Sequence, residues 1–252
     1  MMRPAYLTEE AIAQFIQSAL REDIGEGDHS TLATIPRDKK ARAKLLVKDE
    51  GILAGVELAE KIFRQIDDTL QFTLHKKEGD PIRQGDIVFE VSGNARAILS
   101  AERLVLNCMQ RMSGIATKTH YLSKLIESTS ARLMDTRKTT PNFRLMEKWA
   151  VAIGGGKNHR LALYDMIMLK DNHIDVAGGI AGAVAEAKKY LLEKNKNLQI
   201  EVETRNLKEV KTALDTNEVD VIMLDNMNLA EMKEAVKLIA GKCKTEASGG
   251  IT

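Results

Sequence analysis

From residue 131 onward the chain repeats one pattern: a short, mostly apolar stretch, a polar residue at its end, then a longer stretch with apolar residues at helical spacing. Ala131 to Met134, Met166 to Leu169, Gln199 to Val202, Val219 to Leu224 and Thr245 to Ala247 read as strands, and 177–193, 206–215 and 228–240 read as helices. Strand, helix, strand in succession implies right-handed crossovers and a parallel sheet, and its repetition predicts a (β/α) barrel-like domain. Each strand is followed by polar residues: Asp135 to Lys138, Lys170 to His173, Glu203, Asp225 with Asn226, and Ser248 to Gly250. In a barrel these positions share the C-terminal rim, where chemistry is placed.

The preceding part has a different rhythm. Thr8 is placed to cap an amphipathic helix with Glu9 and Glu10 in its first turn and Ile12, Phe15, Ile16, Ala19 and Leu20 at helical spacing. Residues 21–30, with two glycines and short polar residues, read as a structured loop in which His29 has a capping or turn role. Strands are expected at 41–47, 51–55, 71–75 and 87–91, with a short helix at 56–66. This stretch resembles the small β-sandwich of biotinyl and lipoyl carrier domains in shape. It lacks their exposed hairpin-tip Lys, so the carrier function is rejected. Ser100 is expected to cap a long helix carrying Leu104, Val105, Leu106, Met109 and Met112, with a second helical stretch from Thr117 to Ile126. The fold class is therefore α/β: an N-terminal α/β sandwich domain over 1–115 and a barrel-like catalytic domain over 116–252.

Charge marks where the chemistry lies. The whole chain nearly cancels, with 37 basic against 36 acidic residues, which gives no reason to expect nucleic acid or membrane partners. Yet between Arg137 and His173 there are seven cations (Arg137, Lys138, Arg144, Lys148, Lys157, Arg160, Lys170) against three acids, plus His159 and His173. Arg forks and Lys point charges beside the Gly-rich turn at 154–156 suit a small polyanion carrying carboxylates and phosphates. A solvated, salt-bridged surface is the plain alternative. Carboxylates at strand ends, Glu203 and Asp225, can grip sugar hydroxyls, hold Mg²⁺ through water or stabilise a developing cation, or simply pair with neighbouring Lys and Arg. The Ser248-Gly249-Gly250 turn offers backbone amides to a phosphate, although such a sequence also occurs as plain loop. The N-terminus shows no apolar run before its first acids, which points to a cytoplasmic protein. Cys108 and Cys243 are then small core residues in a reducing compartment.

Several runs together resemble the quinolinate phosphoribosyltransferase family: Thr-Arg-Lys-Thr-Thr-Pro (136–141), Lys-Asn-His-Arg (157–160), Leu-Lys-Asp-Asn-His (169–173), Glu-Val-Glu (201–203), Leu-Asp-Asn (224–226) and Ala-Ser-Gly-Gly-Ile (247–251), with Glu-Asp-Ile-Gly-Glu-Gly-Asp (22–28) and Ala-Glu-Arg-Leu-Val-Leu-Asn (101–107). The resemblance implies transfer of phosphoribose from PRPP to the quinolinate ring nitrogen, with loss of pyrophosphate and CO₂, giving nicotinate mononucleotide. It implies a dimer or dimer-based oligomer in which Arg103 reaches the neighbour's barrel. Arg137, His159, Arg160, Lys170 and the partner's Arg103 would surround the quinolinate carboxylates. Thr136 would join this substrate-binding set. Lys138, Glu203, Asp225, Ser248, Gly249 and Gly250 would hold PRPP, with Lys138, Lys170, Glu203 and Asp225 acting in catalysis. No resident metal is implied; Mg²⁺ would arrive on the PRPP pyrophosphate. The family continues past Thr252, so the barrel is expected to be incomplete at the C-terminus. A related family associated with molybdenum transport shares the layout, but the Thr-Arg-Lys-Thr-Thr-Pro run with Lys-Asn-His-Arg leans towards the quinolinate enzyme. A non-catalytic polyanion-binding module would bind the same molecules without turnover.

Overall fold

In the computed structural model, which describes residues 3–251, the chain divides into two compact units, Met1–His159 and Arg160–Thr252. The first unit opens with α1 (Glu9–Ile24), where Thr8 Oγ1 accepts from Ala11 N at 3.1 Å and Ile12 and Ile16 are buried. The loop expected at 21–30 ends early. Asp28 accepts from Thr31 N at 3.0 Å and starts a second helix, α2 (His29–Thr34). His29 is thus an exposed first-turn residue, and Asp28 supplies the cap.

Next come β1 (Lys40–Leu46), β2 (Gly51–Ile52), α3 (Val56–Ile66), β3 (Gln71–Leu74), β4 (Pro81–Ile82) and β5 (Ile87–Asn94), then α4 (Ala95–Leu125) and α5 (Arg144–Ile153). β5 is the central strand of an antiparallel sheet in the order β1-β5-β3, while β2 and β4 form a separate antiparallel pair. The buried side chains of β5 (Val88, Phe89, Val91) belong to one core with Leu58, Ile62 and Phe63 of α3 and Ile98, Val105, Met109 and Met112 of α4. Asn94, not Ser100, caps α4, its Oδ1 accepting from Arg96 N at 2.9 Å. Ser100 lies inside the helix, donating to Asp28 Oδ2 at 3.2 Å. The two helical stretches read from the sequence are one helix of 31 residues, so residues 115 and 116 are consecutive in it. The sequence reading does not anticipate α5. Its Met146, Trp149, Ala150 and Ile153 are buried, and their helical spacing is hidden among the charges of that region.

The second unit contains β6 (Ile167–Leu169), α6 (Asp171–Val176), α7 (Ile180–Glu193), β7 (Ile200–Thr204), α8 (Leu207–Asp215), β8 (Val221–Asp225), α9 (Leu229–Ile239) and β9 (Lys244–Ser248). The strands form a parallel sheet in the order β6-β7-β8-β9, open rather than closed on itself. Ile167, Leu169, Ile200, Val202, Ile222 and Leu224 pack with Val184, Leu191, Val210, Ala235 and Ile239 of the helices. Alternation then sends Met168, Glu201, Glu203, Met223, Asp225, Glu246 and Ser248 to the opposite face. The strand expected at 131–134 is reduced to a single parallel bridge, Met134 to Lys157. Ala131 and Arg132 are exposed and offer no apolar face to pack. Among the described residues no helix is long and apolar enough to cross a membrane. Both cysteines are free; Cys108 is buried, which pushes its thiol up to about 12, and Cys243 is half-buried.

One half-buried carboxyl in the first unit ties loop to helix. Glu78 accepts from Gly55 N and Glu57 N, both at 3.0 Å, satisfying amides at the start of α3. Burial lifts its carboxyl from 4.5 to about 7, although the α3 amides pull it down. A folded-state value above the unfolded one means tighter proton binding in the fold. The resulting stabilisation is fully present below 4.5 and is lost as pH rises through about 7. The stability of the wild type relative to Glu78→Gln should therefore fall between pH 5 and pH 8, by at most about 3 kcal/mol. Urea unfolding of both proteins across that range measures this, and a pH-independent difference would reject it.

Candidate functional site

The parallel sheet of the second unit brings the strand ends to one edge. Lys170 follows β6 directly, Glu203 is the penultimate residue of β7, and Asp225 and Ser248 end β8 and β9. Asp225 and Ser248 are register partners, so they stand side by side on the face that carries Glu203. Lys170 Nζ reaches Glu203 Oε2 at 3.0 Å, with side-chain exposures of 43% and 12%. Glu203 thus has the lysine neighbour that the plain alternative requires. Among the described residues Asp225 makes no ion pair, and its Oδ2 accepts from Asn226 Nδ2 at 2.7 Å.

Asn226 also organises the next turn. It adopts a left-handed backbone (φ 54°), and its N–H donates to Ser248 O at 2.8 Å. Gly249 has φ +80°, and a Cβ there would lie 2.2 Å from Asn226 Oδ1. No other residue fits, for both conformational and steric reasons. The Ser-Gly-Gly turn and the Leu-Asp-Asn turn are therefore packed against each other. Arg160, in the same unit, is 9% exposed.

In the first unit the expected residues sit on two segments joined by the Met134 to Lys157 bridge. Thr136 Oγ1 accepts from Lys138 N at 3.0 Å and Arg137 O from Thr139 N at 2.9 Å, folding the Thr-Arg-Lys-Thr-Thr run into a tight loop. Lys138 is exposed and Arg137 half-buried. Arg137 Nε is shut off from solvent with no hydrogen-bond partner among the described residues. Arg103 is exposed on α4 and makes no ion pair among the described residues.

The residues holding these segments are not evident from the sequence. Asp135 Oδ1 pairs with Lys148 Nζ and accepts from His159 N at 2.9 Å, while its Oδ2 accepts from Asn158 Nδ2 at 2.6 Å. Lys148 Nζ also donates to His159 O at 3.3 Å, and Tyr6 Oη to Asn158 Oδ1 at 3.1 Å. Burial first, then the charge of Asp135, holds the Tyr6 phenol well above its usual range. On α5, Glu147 accepts from Thr140 N at 3.0 Å, Thr140 Oγ1 at 2.9 Å and Arg111 Nε at 2.9 Å. Arg144 Nε donates to Thr139 Oγ1 at 2.9 Å. Two members of the cation cluster, Lys148 and Arg144, thus serve the scaffold. The signal that could have found them is the helical spacing of Leu145, Met146, Trp149, Ala150 and Ile153, which carries Glu147 and Lys148 inward.

Lys148 is 1% exposed, so removing its carboxylate partner strands a buried charge. Asp135→Ala should cost about 3–5 kcal/mol, and Asp135→Ala combined with Lys148→Met clearly less, because the double change removes both charges. Denaturant unfolding of the single and double variants measures this, and equal losses would show that the pair is not what burial demands.

Comparison with known proteins adds identity to this geometry. The family model for the quinolinate phosphoribosyl transferase C-terminal domain matches residues 115–252, and that for its N-terminal domain matches residues 28–113. The chloroplastic nicotinate-nucleotide pyrophosphorylase [carboxylating] of Arabidopsis thaliana is 47% identical over 252 residues, which is 94% of this chain and 72% of that protein. The probable nicotinate-nucleotide pyrophosphorylase [carboxylating] of Bacillus subtilis is 42% identical, over 92% of this chain and 78% of that one. The crystal structure of NadC from Streptococcus pyogenes superposes with a TM-score of 0.91 at 40% identity, covering 98% of this chain and 86% of that chain. With both family models matched in order and relatives this similar across most of their length, the chain belongs to the quinolinate phosphoribosyltransferase family.

Proposed function

We propose that this chain transfers the phosphoribosyl group of PRPP to the ring nitrogen of quinolinate and releases CO₂, forming nicotinate mononucleotide for NAD biosynthesis. The observation that carries the reading is the strand-end edge of the second unit, where Lys170, Glu203, Asp225 and the Ser-Gly-Gly turn stand together in a member of this family. As the ribose C1′ to pyrophosphate bond breaks, positive charge develops on the sugar and negative charge on the leaving group. Fixed carboxylates favour the first, and fixed cations and turn amides favour the second. Glu203 and Asp225 are assigned to the ribose, and Lys138 with Ser248, Gly249 and Gly250 to the phosphates. The ring nitrogen then forms its bond to C1′. Its positive charge stabilises the carbanion left when the adjacent carboxylate departs as CO₂, and a proton from solvent completes the product, so no side-chain nucleophile is needed.

Arg137, His159, Arg160 and Lys170 are assigned to the quinolinate carboxylates, and Thr136 to substrate binding. The Arg forks should favour the retained carboxylate, since a tight clamp on the departing one would stabilise the ground state. The oxygen donors of Glu203 and Asp225 suit a hard cation, and Mg²⁺ carried on PRPP would neutralise pyrophosphate charge. Arg103, exposed and without an ion pair among the described residues, is assigned to a partner's site in a homodimer. The cytoplasm, as a reducing compartment, suits the two free cysteines.

Incubation with quinolinate, PRPP and Mg²⁺ should release CO₂ and pyrophosphate in equal amounts, and binding without release would leave only a polyanion-binding module. Arg137→Ala and Arg160→Ala should each raise the quinolinate KM by at least about tenfold, the scale of a charge-assisted contact; an unchanged KM in either removes that residue from the carboxylate set. Neither Arg103→Ala nor Lys138→Ala alone should be active, whereas mixing them should restore part of the activity through hybrid dimers. No restoration would remove the assignment of Arg103 to the partner's site.

A further inference from the structure

Lys170 is a pivot. β6 ends at Leu169, whose register partner on β7 is Val202, and Lys170 is the first residue beyond that pairing. Its backbone is extended (φ −96°, ψ 170°), and it is the N-cap of α6. A lysine charge at the end of four rotatable bonds is only as well placed as the Cα that carries it. Here the residue is held at three points. Its carbonyl accepts from Ile174 N at 2.9 Å, its N–H donates to His173 Nδ1 at 3.0 Å, and its Nζ meets Glu203 at 3.0 Å.

The second hold is unusual in its chemistry. A residue three places into a helix that reaches back to the N-cap amide is ordinarily Glu or Gln. Here it is an imidazole, which can accept at Nδ1 only when that nitrogen is unprotonated and the ring proton sits on Nε2. His173 is itself exposed, so its side chain has no packing duty to explain its place. The Leu-Lys-Asp-Asn-His run therefore contains a cation and, three residues on, the acceptor that fixes its backbone.

We infer that His173 is a positioning residue for the reaction: by accepting the Lys170 amide it fixes the backbone from which Lys170 presents its ammonium beside Glu203. The inference rests on the role proposed above for Lys170 at a quinolinate carboxylate. Loss of the acceptor frees the Lys170 peptide and spreads the ammonium over more positions, weakening substrate binding without touching the core.

The test compares Lys170→Ala, His173→Ala and His173→Gln in the full chain by steady-state kinetics and thermal unfolding. His173→Ala should raise the quinolinate KM about three- to tenfold, the size of one lost hydrogen bond. Its PRPP KM and thermal midpoint should stay near wild type. His173→Gln, which keeps an acceptor at the same place in the helix, should recover most of the loss. A His173→Ala quinolinate KM within twofold of wild type, or a His173→Gln protein as impaired as His173→Ala, overturns the inference. If Lys170→Ala itself leaves the quinolinate KM unchanged, the role of Lys170 fails and that of His173 falls with it. A defect in Lys170→Ala with none in His173→Ala overturns the positioning role alone.

Discussion

An ammonium group withdrawn from water has to be met by a carboxylate, and in the first unit that requirement sets much else in place. Lys148 projects inward from α5, and Asp135 meets it. Because Asp135 also accepts from His159 N and Asn158 Nδ2, the segment before Thr136 and the segment ending in His159 are bound to one carboxylate. The pair's net contribution to stability is small or unfavourable by comparison with an apolar replacement, since desolvation offsets attraction. What it does is tie the two loops together: the carboxylate that meets the buried ammonium is the one that takes up His159 N and Asn158 Nδ2. Glu147 does the same on the next turn of the loop, taking both the amide and the hydroxyl of Thr140. Arg137 and Lys138 are thus presented from a backbone whose neighbours leave it little freedom.

In the second unit, strand alternation divides the work. One face of the sheet is aliphatic and is used up by α7, α8 and α9. The other face carries Glu203, Asp225 and Ser248 at the edge where parallel strands all end. The same alternation that builds the core therefore lines up the acids, with no further instruction needed from the sequence.

The same division explains which features can be read from residues alone. β6 and β8 are visible as short continuous apolar runs, β7 by its alternation of Ile200 and Val202 with Glu201 and Glu203, and the more polar β9 by its place in the repeat; the residues after each strand follow at once. Lys170, Glu203, Asp225 and Ser248 stand where that rhythm puts them. The Ala131 to Met134 segment misleads because a short apolar run cannot signal whether a pairing partner exists. Ser100 reads as a cap because Ser is a good one, but Asn94, six residues earlier, has both the residue type and the chain reversal from β5. α5 and its Glu147 and Lys148 stay hidden because charge in a sequence suggests exposure, whereas a satisfied charge packs inside. Asp135 takes up Lys148, Asn158 and the His159 amide, and His173 the Lys170 amide, in combinations that match no capping pattern of the kind that marks Thr8.

The contact between Gly249 and Asn226 reaches beyond either residue. The last turn of β8 and the last turn of β9 are shaped to each other within a single atom's width, so they form one mechanical part encoded at two sites in the chain. A redesign that transplants the glycine turn into another parallel sheet without its asparagine would carry the loop but leave behind the mould that sets its shape.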